Sequence, residues 1–268
     1  MVFETVVYLF YVLASGVGGL LVGVIGTGSS LVLLPSLALV FAAVLPDFDT
    51  LRLAAGTTMA TIAVGAFAGA LTQYRAGHVD LQLLRLMLLP YVVGSLVGPW
   101  LSRLLSTQAL GIYVAVVISI VALRMIFVDR GKLGASREFG AHRFEIGVVL
   151  TGVGICSSVA GIASGIFAIP YLTRFSLPMR TIIGTSTAGA AVYATFGSIG
   201  YISAGWSAAN MPAGALGYVY LPAFAVMAIT ASIFTPLGVR LGRYVNDRLL
   251  RRVFAVFLLV AALTIAFS

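Results

Sequence analysis

The sequence predicts an all-α polytopic membrane protein made of two inverted-topology repeats. Each repeat has about four spans plus one broken or re-entrant segment, giving about 8–10 membrane segments in all. Three observations predict it: a composition that cannot cover a water-soluble globule, uncharged windows of membrane-spanning length, and a set of landmarks that occurs twice in the same order. Of 268 residues, 60% are hydrophobic, only 9% are charged and 30 are glycine, where an ordinary soluble domain carries about 25% charged residues. The mean hydropathy is +1.10. Soluble enzymes, nucleic-acid binders and disordered regulators are excluded as classes. Arg- and Lys-rich cytoplasmic loops account for the net charge of +8. The expected surroundings are therefore the lipid bilayer, with no nucleic-acid partner.

The uncharged windows give the elements in order. Glu4 to Asp47 encloses 42 uncharged residues, Arg52 to Arg75 encloses 22, Arg85 to Arg103 encloses 17 and Arg103 to Arg124 encloses 20. Glu145 to Arg174 encloses 28, Arg180 to Arg240 encloses 59, and 16 residues follow Arg252. A spanning helix needs about 20 residues, so the windows of 17 to 22 are single spans. The window of 59 holds two spans, divided at the Gly/Pro/Asn-rich stretch Gly205–Gly217. The window of 42 is either two crossings or one crossing plus a re-entrant segment, and it breaks at Gly26-Thr27-Gly28-Ser29-Ser30 with Pro35 after it. The window of 28 breaks in the same way at Gly161-Ile162-Ala163-Ser164-Gly165, with Pro170 after it. Such residues are tolerated at membrane depth only where protein or a water-filled cavity satisfies the freed backbone groups. The N-terminal stretch has no basic lead and no cleavage site before a polar domain, so it reads as the first membrane element and not as a removable signal.

The two breaks belong to a duplication. Nine residues separate Gly26 from Pro35 and Gly161 from Pro170. Downstream of each lies Arg-x-x-x-Gly-Thr-Thr/Ser, as Arg52 with Gly56-Thr57-Thr58 and as Arg180 with Gly184-Thr185-Ser186. A third pair of landmarks matches Pro99 and Arg103 to Pro236 and Arg240. Three landmarks in one order define an internal repeat: an N-terminal repeat over residues 1–128, a cytoplasmic linker over 129–143 and a C-terminal repeat over 144–268. Charge bias decides how the halves sit. With the halves inverted, 14 of the 16 basic residues fall on one side, leaving Arg52 and Arg103 with Glu4, Asp47 and Asp49 on the other. Parallel halves would put Arg130, Lys132, Arg137 and Arg143 outside, against the positive-inside rule. The expected location is the cell inner (plasma) membrane, multi-pass, with both termini extracytoplasmic. Inverted repeats with matched breaks are the build of many secondary transporters.

These motifs resemble the TauE/SafE family of membrane proteins, the sulfite exporters, over nearly the whole chain. The likeness is carried by the Gly-rich segments ending in Pro35 and Pro170 and by the Gly56-Thr57-Thr58 and Gly184-Thr185-Ser186 blocks. It is also carried by Tyr74-Arg75-Ala76-Gly77-His78-Val79-Asp80, similar to the family's Tyr-Arg-x-Gly-x-Val-Asp turn. Ser29, Ser30 and Ser164 stand where the family has more glycine, and the second half has Tyr201-Ile202-Ser203-Ala204-Gly205-Trp206 in place of the turn. The resemblance implies transport of small sulfur-containing anions: sulfite, sulfonates such as sulfoacetate, or related organic anions.

The residues themselves say how an anion would be held. No Lys or Arg lies inside an uncharged window, which leaves helix N-termini, backbone N–H groups and hydroxyls. A helix N-terminus carries about half an elementary charge and several unpaired donors. Thr27, Gly28, Ser29 and Ser30 would open one such helix, and Ser164 and Gly165 its mate. Thr57, Thr58, Thr185, Ser186 and Thr187 lie on the neighbouring helices. The same small residues also suit close helix packing. Arg52 and Arg180 are candidate lures at the two mouths or snorkelling anchors. Gln73 is a candidate pore contact, Tyr193 a hydroxyl pointed inward, and Cys156 a small buried hydrophobe. His78 and His142 fall in loops, so neither a metal nor a cofactor is expected. The spans hold no catalytic set, so the chain is read as no enzyme; the alternatives to a carrier are a passive anion channel and a non-transporting membrane subunit. All eight acids and both histidines lie outside the uncharged windows or in loops, so the anion is expected to leave down its own electrochemical gradient. The particular anion and the oligomeric state are left open.

Overall fold

The computed structural model describes residues 2–25, 28–127, 142–175, 177–208 and 211–242. Thr27, the linker residues Arg130, Lys132 and Arg137, and Arg243, Arg248, Arg251 and Arg252 lie outside the described residues, as does the window after Arg252. The described part is all-α apart from one short hairpin. Its helices are α1 (Val2–Ile25), α2 (Ser29–Val44), α3 (Thr50–Arg75), α4 (Leu81–Leu104), α5 (Thr107–Phe127), α6 (Arg143–Val159), α7 (Gly165–Leu172), α8 (Met179–Gly205) and α9 (Leu221–Leu241). Ahead of α9, β1 (Ala215–Leu216) pairs antiparallel with β2 (Val219–Tyr220), Ala215 opposite Tyr220. This hairpin begins at the end of the Gly/Pro/Asn-rich divider read from the sequence.

The helix ends follow local chemistry. Asp49 caps α3 by accepting from the Arg52 N–H at 3.3 Å. Asp80 caps α4 by accepting from Gln82 N–H at 2.8 Å and Leu83 N–H at 3.0 Å. Pro222 sits in the first turn of α9, where no donor is lost. Thr5–Val24, α3, α4 and α9 are long and apolar enough to cross a membrane. Large apolar side chains such as Phe67, Leu89 and Ile229 face outward, while Ser and Thr are buried between helices. That is the polarity of a membrane protein, whose solvent is lipid.

The packing pattern is unchanged when the halves are exchanged. α3 and α8 pack on each other at the centre; α9 packs on α3 and α1, while α4 packs on α8 and α6. α2 lies against α1 and α3, and α7 against α6 and α8. The start of α3 meets the end of α8, since Gly56 lies beside Tyr201 and Tyr218, and the start of α8 meets the turn after α3, since Gly184 lies beside His78. The equivalent helices α3 and α8 are therefore antiparallel, and the halves are inverted. Among the described residues, Arg75, Arg85, Arg143, Arg174, Arg180 and Arg240 sit at one end of the bundle, and Arg52, Arg103, Asp47 and Asp49 at the other.

One landmark needs correction. The buried faces of α4 and α9 superpose in register with Leu83 on Ala223, Met87 on Met227, Ser95 on Thr235 and Gly98 on Gly238. Pro99 and Pro236 are then roughly one helical turn out of register. A proline in a helix interior marks a kink and not a register, so its recurrence by itself aligns nothing.

Candidate functional site

The two breaks meet. The Ala163 N–H of the second donates to Ser30 Oγ of the first at 2.9 Å, an entirely buried bond. Gly28 turns the chain into α2 at φ 116°, a backbone that only glycine adopts without strain. Gly161 (φ 69°) lets the second break approach Ala55, whose Cβ would lie 2.4 Å from an added Cβ. Around this contact the hydroxyls of Ser29, Thr58, Ser164 and Ser186 are buried with no hydrogen-bond partner. They form two equivalent pairs, Ser29 with Ser164 and Thr58 with Ser186. An unsatisfied buried hydroxyl costs about 1–3 kcal/mol, and Tyr91, Ser157 and Thr235 carry buried hydroxyls without a partner as well. Gly165 lies at the N-terminus of α7 beside Ser164.

The Gly-Thr blocks also join the two halves. Thr57 Oγ1 accepts from the Tyr220 N–H at 2.9 Å and donates to the Leu53 carbonyl at 2.7 Å. At the equivalent place, Thr185 Oγ1 accepts from the Asp80 N–H at 2.9 Å. Gly56 and Gly184 admit the carbonyls of Tyr218 and His78, which an added Cβ would meet at 2.1 and 2.3 Å. Each half thus clasps the turn that starts α9 or α4 in the other half. Thr187 Oγ1 donates to the Ile183 carbonyl at 2.9 Å. The spacing of these residues revealed the repeat; which way each hydroxyl points is a matter of packing.

The proposed mouth residues also separate. Arg52 is buried, ion-paired to Asp49, and donates to the Ser102 carbonyl through Nε (3.2 Å) and Nη2 (2.7 Å) and to the Leu105 carbonyl. Its Nε and Nη2 donors satisfy two carbonyls at the end of α4, and its Nη1 binds the Asp49 carboxylate. Arg180 is exposed. The Gln73 Oε1 lies 3.0 Å from His78 Nδ1 and links the end of α3 to the turn before α4. Tyr193 does point inward and donates to the Ile162 carbonyl of the second break at 2.9 Å. Cys156 is exposed, correcting its expected burial.

Sequence reasoning missed Thr61, Tyr91 and Thr235. A cavity with room for about one water is lined by Gly19, Val22, Ser29, Leu33, Thr61, Ile62, Gly65, Ala66, Ala231 and Thr235. Thr235 Oγ1 is fully buried and unpartnered, like Ser29 Oγ beside it. Thr235 stands immediately before Pro236 in a span, and that kink is the one signal in the sequence that could have drawn attention to it.

An inverted duplication with matched breaks, inside a bundle with an apolar outer face, is an architecture that many membrane transporters share. The family described as sulfite exporter TauE/SafE matches residues 11–265. The chain belongs to this family of membrane transporters. It is similar to a probable membrane transporter protein of Haemophilus influenzae, 29% identical over 263 residues that cover 95% of this chain and 96% of that protein. No solved structure matches.

Proposed function

We propose that the protein carries small sulfur-containing anions, sulfite or an organosulfonate, out of the cell across the plasma membrane, with the anion held between the two breaks. The observation that carries this is the matched set of unpartnered hydroxyls, Ser29 with Ser164 and Thr58 with Ser186, at the start of α2 and α7 and on the adjoining α3 and α8. Hydroxyls and helix N-termini supply donors without a competing cation. An anion can therefore be bound and released without breaking a salt bridge. The family and the Haemophilus influenzae relative support a transporter rather than an enzyme.

The arginine-rich end of the bundle is the cytoplasmic one on this reading, which puts the start of α1 outside, because α1 and α9 run parallel: Ser15 Oγ reaches the Met227 carbonyl at 2.6 Å and Gly23 lies against Val239. A reporter active only in the cytoplasm, fused to either terminus, is expected to give no signal; a strong signal from both ends would reverse the orientation.

The membrane potential drives the flux. An interior potential of about −100 mV gives a monovalent anion about 2.3 kcal/mol outward, an equilibrium ratio of roughly 50-fold. Proteoliposomes loaded with sulfite or sulfoacetate should release it when a potential alone is imposed, at carrier rates. Flux that needs a proton gradient and ignores potential would refute uncoupled export, and ion currents far above carrier turnover would replace the carrier by a channel.

A further inference from the structure

The halves are equivalent in fold but not in what fills them. In the first half, Gly65 on α3 faces Ala231 on α9, and a Cβ on Gly65 would lie 3.0 Å from the Ala231 Cβ and 3.3 Å from Thr235 Oγ1. The cavity lies there, with Ser29 and Thr61 on its wall. In the second half the matching positions are Tyr193 on α8 and Tyr91 on α4. Both are fully buried, and their rings pack edge to face with centroids 5.6 Å apart. The Tyr193 hydroxyl donates to the Ile162 carbonyl, and the Tyr201 hydroxyl donates to the Ser158 carbonyl at 2.8 Å, so α8 satisfies two carbonyls at the second break, while the hydroxyls of Tyr91, Ser157, Ser164 and Ser186 stay unpartnered. Gly65 has no side chain with which to do this for the first.

We infer that the anion is bound in one half only, with its XO3 head against Ser29 and Thr235 in the cavity between α1, the first break, α3 and α9, while Tyr91 and Tyr193 close the equivalent space in the second half. This rests on the reading of the protein as an anion carrier and narrows its site. Ser29 Oγ and Thr235 Oγ1 are free to donate to the anion's oxygens. Thr61 Oγ1 donates to the Thr57 carbonyl at 2.9 Å, holding that side chain in place. The start of α2 adds the positive end of its dipole. The cavity has space for about one water, so it has to widen to admit the anion.

The test exploits the single cysteine of the chain, Cys156. In a Cys156→Ser background, Ser29→Cys and Thr235→Cys are compared in proteoliposomes with their equivalents Ser164→Cys and Ser95→Cys. The probe is sulfonatoethyl methanethiosulfonate, a thiol reagent that itself carries a sulfonate. The first pair should react at least about 10-fold faster than the second, and sulfoacetate should slow that reaction. Adding Tyr91→Ala to Ser164→Cys should open the second half and raise its rate, which also shows that an unreactive Ser164→Cys protein is folded and shielded. Equal or reversed rates overturn the one-sided site even if the wild type transports sulfoacetate. Fast labelling without protection, in protein whose wild type carries sulfoacetate, overturns it as well. If the wild type carries neither sulfite nor sulfoacetate, the anion-carrier reading itself fails, and the ligand assigned to this cavity fails with it.

Discussion

Replacing Gly56 or Gly184 by alanine is expected to remove most of the folded protein, with both variants failing to the same degree. The added methyl would stand 2.1 Å from the Tyr218 carbonyl oxygen in one case and 2.3 Å from the His78 carbonyl oxygen in the other. Both obstacles are backbone in turns fixed by the threonine bonds next door, so neither can swing aside. Overpacking against movable side chains costs about 1–3 kcal/mol; against backbone at this distance the loss should be at least about 3 kcal/mol. Gly147→Ala is the control. A Cβ there meets nothing within 4 Å, and alanine in a helix is favoured over glycine by up to about 1 kcal/mol. Thermal unfolding of the three variants in detergent checks the prediction. A Gly56→Ala protein as stable as Gly147→Ala would mean that the two halves do not clasp one another at these turns.

Arg52→Met is expected to destabilise by about 3–5 kcal/mol, because it leaves Asp49 partly buried without its cation and strips the Ser102 and Leu105 carbonyls of donors. Arg52→Lys should recover only part of the loss, since an ammonium cannot span two carbonyls and a carboxylate as a guanidinium fork does. Arg180→Met should shift stability by no more than about 0.5 kcal/mol, as befits an exposed surface position. The sequence treats the two arginines as equals. Their measured stabilities should differ by the worth of a buried hydrogen-bonded pair, and equal losses would show that the Arg52 contacts are not formed in the membrane.

Much of the fold was legible because lipid imposes simple rules. A span must be long and uncharged, and a glycine-proline break at membrane depth must be lined by protein or water. Those rules marked the breaks at Gly26–Ser30 and Gly161–Gly165, and the recurrence of Arg-x-x-x-Gly-Thr gave the two halves. The Pro99 and Pro236 match misled because a helical kink recurs more easily than a register. The site was legible only in outline. The hydroxyls of Ser29, Thr58, Ser164 and Ser186 are buried and unpartnered, whereas Thr57, Thr185, Gln73 and Arg52 bond to backbone groups or turns brought near by the fold. A hydroxyl's partner is set by which helix lies against it, and one-dimensional spacing carries no such information.

The sequence by itself determined that this protein lies in a membrane, that it is built twice over and that its halves are inverted, because burial in lipid, charge sidedness and repetition are properties of the chain read in order. Only the tertiary structure decided that the halves are unequal inside. Gly65 and Ala231 are far apart in sequence, as are Tyr91 and Tyr193, and nothing in either pair signals its mate. Once α3 packs on α9 and α8 packs on α4, two small residues leave a cavity edged by Ser29 and Thr235, and two tyrosines fill its counterpart. The physical reason is that a cavity is a volume left between side chains from different helices, fixed by close packing in three dimensions.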